Sequence, residues 1–202
     1  MPRVSPEYLA GRRAEILSAA ARLFAANGFH ATSMADIITE SQLSAGAVYR
    51  YFRSKEELIG SVADLALSTA DEVFGKLLAG GATPSPADAV VTMITSVSER
   101  LMKDSETGVD ISRIAVQVWA EALRNPEVSA RADHTLRRLR AHCAEVARRW
   151  QAAGNLPEAV NPEDVGGAML SLAQGYVLQH LLLKDFNPEA YAAGVRALLT
   201  AG

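Results

Sequence analysis

The chain carries a single cysteine, Cys143, among 202 residues. No disulfide can close within it, and a reducing compartment, the cytoplasm, is the expected setting. Metal chemistry is as poorly provided for: four histidines and that one cysteine show no ligand spacing, so neither a metal nor a cofactor is expected. No stretch alternates apolar and polar residues convincingly with period two, so no sheet is expected. Nor is there a low-complexity run or an internal repeat. The N-terminus, "MPRVSPEYLAGRRAEIL", lacks the apolar core of a secretory signal. One long uncharged run occurs, "VGGAMLSLAQGYVLQHLLL" at 165–183. It is long enough to cross a bilayer, yet Ser171, Gln174, Gln179, His180 and three glycines dilute it. Burial against protein, not membrane, is the expectation.

Helix-forming material is abundant. Apolar residues make up 49% of the chain and arginine outnumbers lysine sixteen to four; alanine and arginine both favour helices. Five prolines directly follow Ser or Asn, in Ser5-Pro6, Ser85-Pro86, Asn125-Pro126, Asn161-Pro162 and Asn187-Pro188. Each pair reads as a helix start, with the polar side chain capping free N–H groups and proline at the first helical position. Acids follow at Glu7, Asp88, Glu127, Glu163 with Asp164, and Glu189, where they complement the positive helix end. Ser33 with Asp36 and Ser54 with Glu57 add capping-box starts. Asn27-Gly28, Gly80-Gly81 and Gly154-Asn155 read as stops. The expected helices span 6–27, 34–41, 45–52, 55–79, 86–103, 109–124, 126–153, 162–184 and 188–201. The fold class is therefore all-α, with nine helices. Ile16, Leu17, Ala20, Leu23 and Phe24 form a core stripe on the first, and Leu136, Leu139, Cys143, Val146 and Trp150 one on the seventh.

The net charge of −3 excludes an overall basic coat, but residues 1–60 hold seven Lys/Arg against six Asp/Glu while the remainder is acidic. A local phosphate-binding surface is compatible with that balance. The stretch "SQLSAGAVYRYFRSKEEL", 41–58, is where to look. On a helix over 45–52, Val48 and Phe52 share the anchoring side. Gly46, Ala47 and Arg50 fall opposite, flanked by Tyr49 and Tyr51. The preceding "SMADIITE" supplies Met34, Ile37 and Ile38 to pack beneath. Residues 34–53 then read as a helix-turn-helix, whose second helix enters the major groove. Ser44, Ala45, Gly46 and Ala47 make a leading turn small enough for close approach to base edges. Arg50 can reach a guanine or a phosphate. Tyr49, Tyr51, Lys55 and the N–H groups around Thr32 and Ser33 can hold phosphates. The two tyrosines fit half-buried packing positions equally well.

Three motifs carry a resemblance: "A-x-x-LF-x-x-x-G-F-x-x-TS" from Ala20 to Ser33, "ADI" from Ala35 to Ile37, and "S-x-G-x-V-Y-x-Y-F-x-S-K-E-E-L" from Ser44 to Leu58. Through them residues 12–59 resemble the N-terminal domain of the tetracycline-repressor (TetR) family of transcriptional regulators. The resemblance implies a two-domain fold, with a helix-turn-helix DNA-binding domain over 6–54 and a ligand-binding and dimerisation domain over 55–202. It implies a repressor that binds a near-palindromic operator in double-stranded DNA as a homodimer and is released by a small-molecule effector. The connector helix 55–79 would carry the effector signal. Gln42 stands where the family usually has glycine, so either a strained positive φ or a slightly altered turn is expected there. Ala45 replaces a residue often basic or proline, removing one expected contact.

For the dimer, helices 162–184 and 188–201 carry excess apolar surface with small residues Gly166, Gly167, Ala168, Ala173 and Gly175, suiting a four-helix bundle between two copies. Candidate effector contacts are Met93, Met102, Gln117, Trp119, His142, Trp150, Gln174 and Tyr176, polar or adaptable residues on apolar helices. Each fits a core or interface position as well. Residues 117–126, "QVWAEALRNP", are similar to the corresponding helix of betaine-regulator-type members. An enzyme is the rival class, but no nucleophile elbow, phosphate loop or metal dyad is present, and no catalytic activity is expected. A relative that has lost DNA binding is the other rival, favoured by Gln42 and Ala45.

Overall fold

The computed structural model describes residues 5–79, 83–100 and 109–200. Among these, nine helices form and no strand: α1 Pro6–Asn27, α2 Met34–Ser41, α3 Ala45–Tyr51, α4 Lys55–Ala79, α5 Pro86–Arg100, α6 Ile111–Ala122, α7 Pro126–Ala152, α8 Pro162–Leu182 and α9 Pro188–Thr200. All five Ser-Pro and Asn-Pro starts are built as expected. Ser5 Oγ accepts from Tyr8 N, Ser85 Oγ from Asp88 N, and the Asn125, Asn161 and Asn187 amide oxygens accept from Glu127 N, Glu163 N and Ala190 N. At α2 the capping box is reciprocal, Asp36 N donating to Ser33 Oγ and Ser33 N to Asp36 Oδ2. The Ser33 hydroxyl, and after it the Ser33 N–H, donate to the Asp36 carboxyl and hold it below its ordinary range. α6 begins two residues later than expected because Asp110 caps it, accepting from Ser112 N. Gly28 and Gly154 end α1 and α7 at φ 87° and 78°. The Gly80-Gly81 stop, residues 101–103 of the expected fifth helix and Met102 lie outside the described residues.

Contacts group the chain into two compact units, and the grouping is not contiguous. The first takes Met1–Ala66 together with Met102–Ser129, so α1–α3, the leading part of α4 and α6 belong to one body. Its core is Ile16, Ala20, Phe24, Phe29, Ile37, Val48, Phe52, Leu58 and Val62, joined by Ile111, Ile114 and Val118 of α6. The second takes Leu67–Leu101 and Ala130–Gly202, with Val90, Met93, Cys143, Val146, Met169, Tyr176 and Val195 buried. α6 joins the first unit by packing on α1, far away in sequence.

In the second unit α8 crosses α7 at very short range. A Cβ built on Gly166 would lie 2.6 Å from Ala144 N and 2.9 Å from Arg140 O. Gly175 leaves room for the Tyr191 hydroxyl, which donates to Leu172 O at 2.7 Å. Several of the small residues of α8 therefore serve packing within one protomer. No helix of the described residues is long and apolar enough to cross a membrane. The contrast between glycines is testable. Gly166→Ala forces backbone apart and should lower stability by about 1–3 kcal/mol. Gly11→Ala, where the added Cβ meets nothing within 4 Å, should raise stability by about 0.5–1 kcal/mol. Urea unfolding of the two variants reads both signs.

Candidate nucleic-acid interface

Two buried residues, Val48 and Phe52, fix α3 to the first unit; neither has any exposed surface. From α1, the Arg13 guanidinium lies 4.6 Å from the Phe52 ring centroid and donates to Ser61 Oγ at 3.1 Å, tying α1 to both α3 and α4. Arg22 of α1 donates to Glu40 of α2 at 2.9 Å. Between α2 and α3 the backbone turns at Gln42, φ 55° and ψ 26°, the left-handed one of the two outcomes the sequence left open. It is the single non-glycine with positive φ among the described residues.

With its inner side committed, α3 presents the rest of its surface outward. Ser44, Ala45, Gly46, Tyr49 and Arg50 are exposed, while Ala47, Tyr51 and Lys55 are half-buried. Ser44 Oγ accepts from Ala47 N and so caps the helix. Gly46 faces open space, with no atom within 4 Å of a Cβ placed on it. Thr32 is placed differently. It is buried, and its hydroxyl donates to Gly28 O at 2.9 Å, holding the end of α1. Ser33 is exposed but its N–H and hydroxyl are both engaged by Asp36.

The effector candidates among the described residues divide between the two units. Gln117 and Trp119 sit on α6 in the first unit; Met93, His142, Trp150, Gln174 and Tyr176 lie in the second. Gln117 has a clear structural task. Its Nε2 donates to Phe24 O at 2.8 Å and its Oε1 accepts from Phe29 N at 3.1 Å, so one amide holds both sides of the α1 terminus. Nearby, the Glu121 carboxylate lies 3.1 Å from His30 Nε2 and 3.5 Å from Arg124 Nη2. Sequence reasoning missed this clasp, since a glutamine on an apolar helix has the same signature in a pocket or in a cap. Tyr176 is fully buried, its ring 5.2 Å from Phe186 and 5.5 Å from Tyr191. Gln174, His142, Trp150 and Trp119 are half-buried. Met93 Sδ lies 3.9 Å from Cys143 Sγ, and burial pushes the Cys143 thiol up to about 12.

A short outward-facing helix, a tight left-handed turn before it and a bare leading turn define a helix-turn-helix DNA-binding protein. Comparison with known proteins agrees. The family described as bacterial regulatory proteins, tetR family, matches residues 16–62, and the BetI-type transcriptional repressor C-terminal family matches residues 91–201. The HTH-type transcriptional regulator UidR of Escherichia coli is 27% identical over 188 residues, covering 93% of this chain and 90% of UidR. The HTH-type transcriptional repressor Rv1474c of Mycobacterium tuberculosis is 30% identical over 144 residues, covering 68% and 71%. Among solved structures, Salmonella enterica GusR superposes with a TM-score of 0.73 at 25% identity, covering 99% of this chain and 98% of GusR. The chain belongs to the TetR family of bacterial transcriptional regulators.

Two substitutions probe the frame behind the interface. Gln42→Gly removes the cost of a left-handed side-chain residue and should stabilise the fold by about 1 kcal/mol. Gln117→Leu leaves the Phe29 N–H without its acceptor in a partly buried place, and should destabilise by about 1–3 kcal/mol. Thermal unfolding distinguishes the two directions.

Proposed function

We propose that this regulator is a repressor that binds a near-palindromic operator as a homodimer and leaves it when a small-molecule effector binds. The observation that carries the DNA-reading part is Gly46. A glycine inside a helix costs about 1 kcal/mol relative to alanine, and among the described residues nothing beyond its own helix turn lies within 4 Å of its missing side chain. Unlike Gly11, which shares that openness, Gly46 stands in the exposed first turn of the helix-turn-helix's second helix, and a base edge approached closely by that turn is the partner that fits it. Ser44, Ala45 and Ala47 keep the same turn low. Arg50 and Tyr49 reach bases or phosphates, and Tyr51, Lys55 and the backbone near Thr32 and Ser33 hold the flanking strands.

An apolar face on α8 and α9 supports the dimer. Leu178, Leu182, Leu183 and Leu198 are large and exposed, and Ala168, Ala190, Ala193, Gly194 and Ala197 around them are small and exposed. Two copies meeting there form a four-helix bundle, and a near-palindromic operator presents its two half-sites to the paired α3 helices about 34 Å apart, one turn of duplex. Met93, His142, Trp150, Gln174 and Tyr176 remain the effector candidates in the second unit. Gln117, Trp119 and Met102 complete the set; Gln117 transmits more naturally than it binds. No catalytic role is proposed: Glu56 is held low by the α4 backbone N–H and Ser54, and Glu163 with Asp164 opens α8, so these acids serve helix starts. The setting is the cytoplasm.

Fluorescence anisotropy with the DNA upstream of the chain's own gene tests this reading. Affinity should fall by about 10³–10⁵ between 50 and 200 mM salt if 6–10 phosphates are contacted. Gly46→Leu should abolish that binding while the unfolding midpoint stays the same or rises, since leucine is the better helix former. Sedimentation should show a dimer at micromolar concentration. A monomer there, or salt-insensitive binding, contradicts the proposal.

A further inference from the structure

A notch of about 200 Å³ opens between α1 and the recognition helix, lined by Tyr8 and Arg12 of α1, Leu43 of the turn, and Ala47, Arg50 and Tyr51 of α3. Two guanidinium groups and two phenols face it, and no carboxylate is among the lining residues. Arg12 is held in place by its neighbours. Its Nε donates to the Tyr8 hydroxyl at 3.1 Å, its guanidinium lies 5.2 Å from the Tyr8 ring centroid, and its Nη1 donates to Glu15 at 2.6 Å. Two of the five guanidinium N–H groups are used in this way and three remain. The Tyr8 oxygen accepts from Arg12, which leaves the phenol proton to donate. Tyr8 is 53% exposed and Arg50 is exposed, so the mouth is open to a large ligand.

We propose that this notch seats a phosphodiester of the duplex that α3 reads, with Arg12 and Arg50 as the cations and the Tyr8 hydroxyl as an additional donor. Positive charge without a lining carboxylate selects an anion. Ala47 and Arg50 belong both to the notch and to the outward face of α3, so a ligand arriving with the duplex meets the notch in the same encounter. Leu43 and Ala47 offer an apolar edge suited to deoxyribose beside the phosphate. Tyr8 and Arg12 precede the stretch 16–62 that matches the family, so the contact is contributed by this chain's own α1. The proposal rests on the DNA-binding reading above and is separable from it.

Operator affinity measured over a salt series decides the matter. Arg12→Ala should reduce the magnitude of the slope of log K against log salt by about 0.9 for each bound copy, while base preference across operator variants is unchanged. Arg12→Lys should keep most of the slope. Because the loss of Arg12 also exposes Glu15, the double variant Arg12→Ala/Glu15→Ala is the sharper probe: it leaves net charge unaltered and should remain reduced. A double variant with the wild-type slope overturns the seat, as does an unchanged slope in Arg12→Ala. Titration with inorganic phosphate separates a free-anion site: phosphate binding abolished by Arg12→Ala, with operator binding untouched, also overturns it. A wild-type chain lacking salt-dependent DNA binding refutes the function itself, whatever the variants show.

Discussion

A helix of seven residues does not persist alone, because its few hydrogen bonds cannot offset the cost of ordering the first turn. α3 exists because Val48 and Phe52 are driven out of water, each worth about 1.5–3 kcal/mol when fully buried. Those two side chains sit four residues apart and use one side of the helix completely. Arg13 over Phe52 and Ser44 at the cap finish the fastening. Ala45, Gly46, Tyr49 and Arg50 are relieved of packing duty, so their chemistry can be chosen for what lies outside. Exposure of Gly46, Tyr49 and Arg50 follows directly from that division of labour.

The same body contains α6, a helix separated from α1 by more than eighty residues of chain. Gln117 grips the end of α1 from there, and Glu121 meets His30 in the following loop. The α1 terminus also carries Thr32, whose hydroxyl returns to Gly28 O just before α2 starts. A displacement of α6 would thus be felt at the base of the helix-turn-helix through hydrogen bonds a few residues long. The leading part of α4 and the whole of α6 belong to the same body as the helix-turn-helix.

Most of the helical plan was legible in the sequence because its punctuation is local. Ser or Asn before proline, an acid in the next turn, and glycine after the last turn each act within four residues, and the five such starts are all capped as read. At Gln42 the sequence narrowed the turn to two outcomes, a left-handed backbone or an altered turn, and the structure has the first, φ 55°. What escaped reading was long-range. Gln117 and Glu121 reveal their partners only once α6 lies on α1, and Gly166 looks like any small residue until α7 is seen 2.6 Å from where its Cβ would stand. Thr32 illustrates the same limit at short range, since a threonine before a helix can turn inward or outward with equal ease. The notch beside Arg12 was missed because α1 meets α3 only through the tertiary fold.

The state of Cys143 has a practical corollary. With its acidity shifted to about 12, the fraction ionised at neutral pH is on the order of one part in 10⁵, and the sulfur is shielded by Met93 and the surrounding helices. Alkylating dyes and mild oxidants should pass it by. A new cysteine placed at an exposed position would then be the one reactive thiol, so fluorophores or spin labels can be attached to the natural background without first removing the native residue.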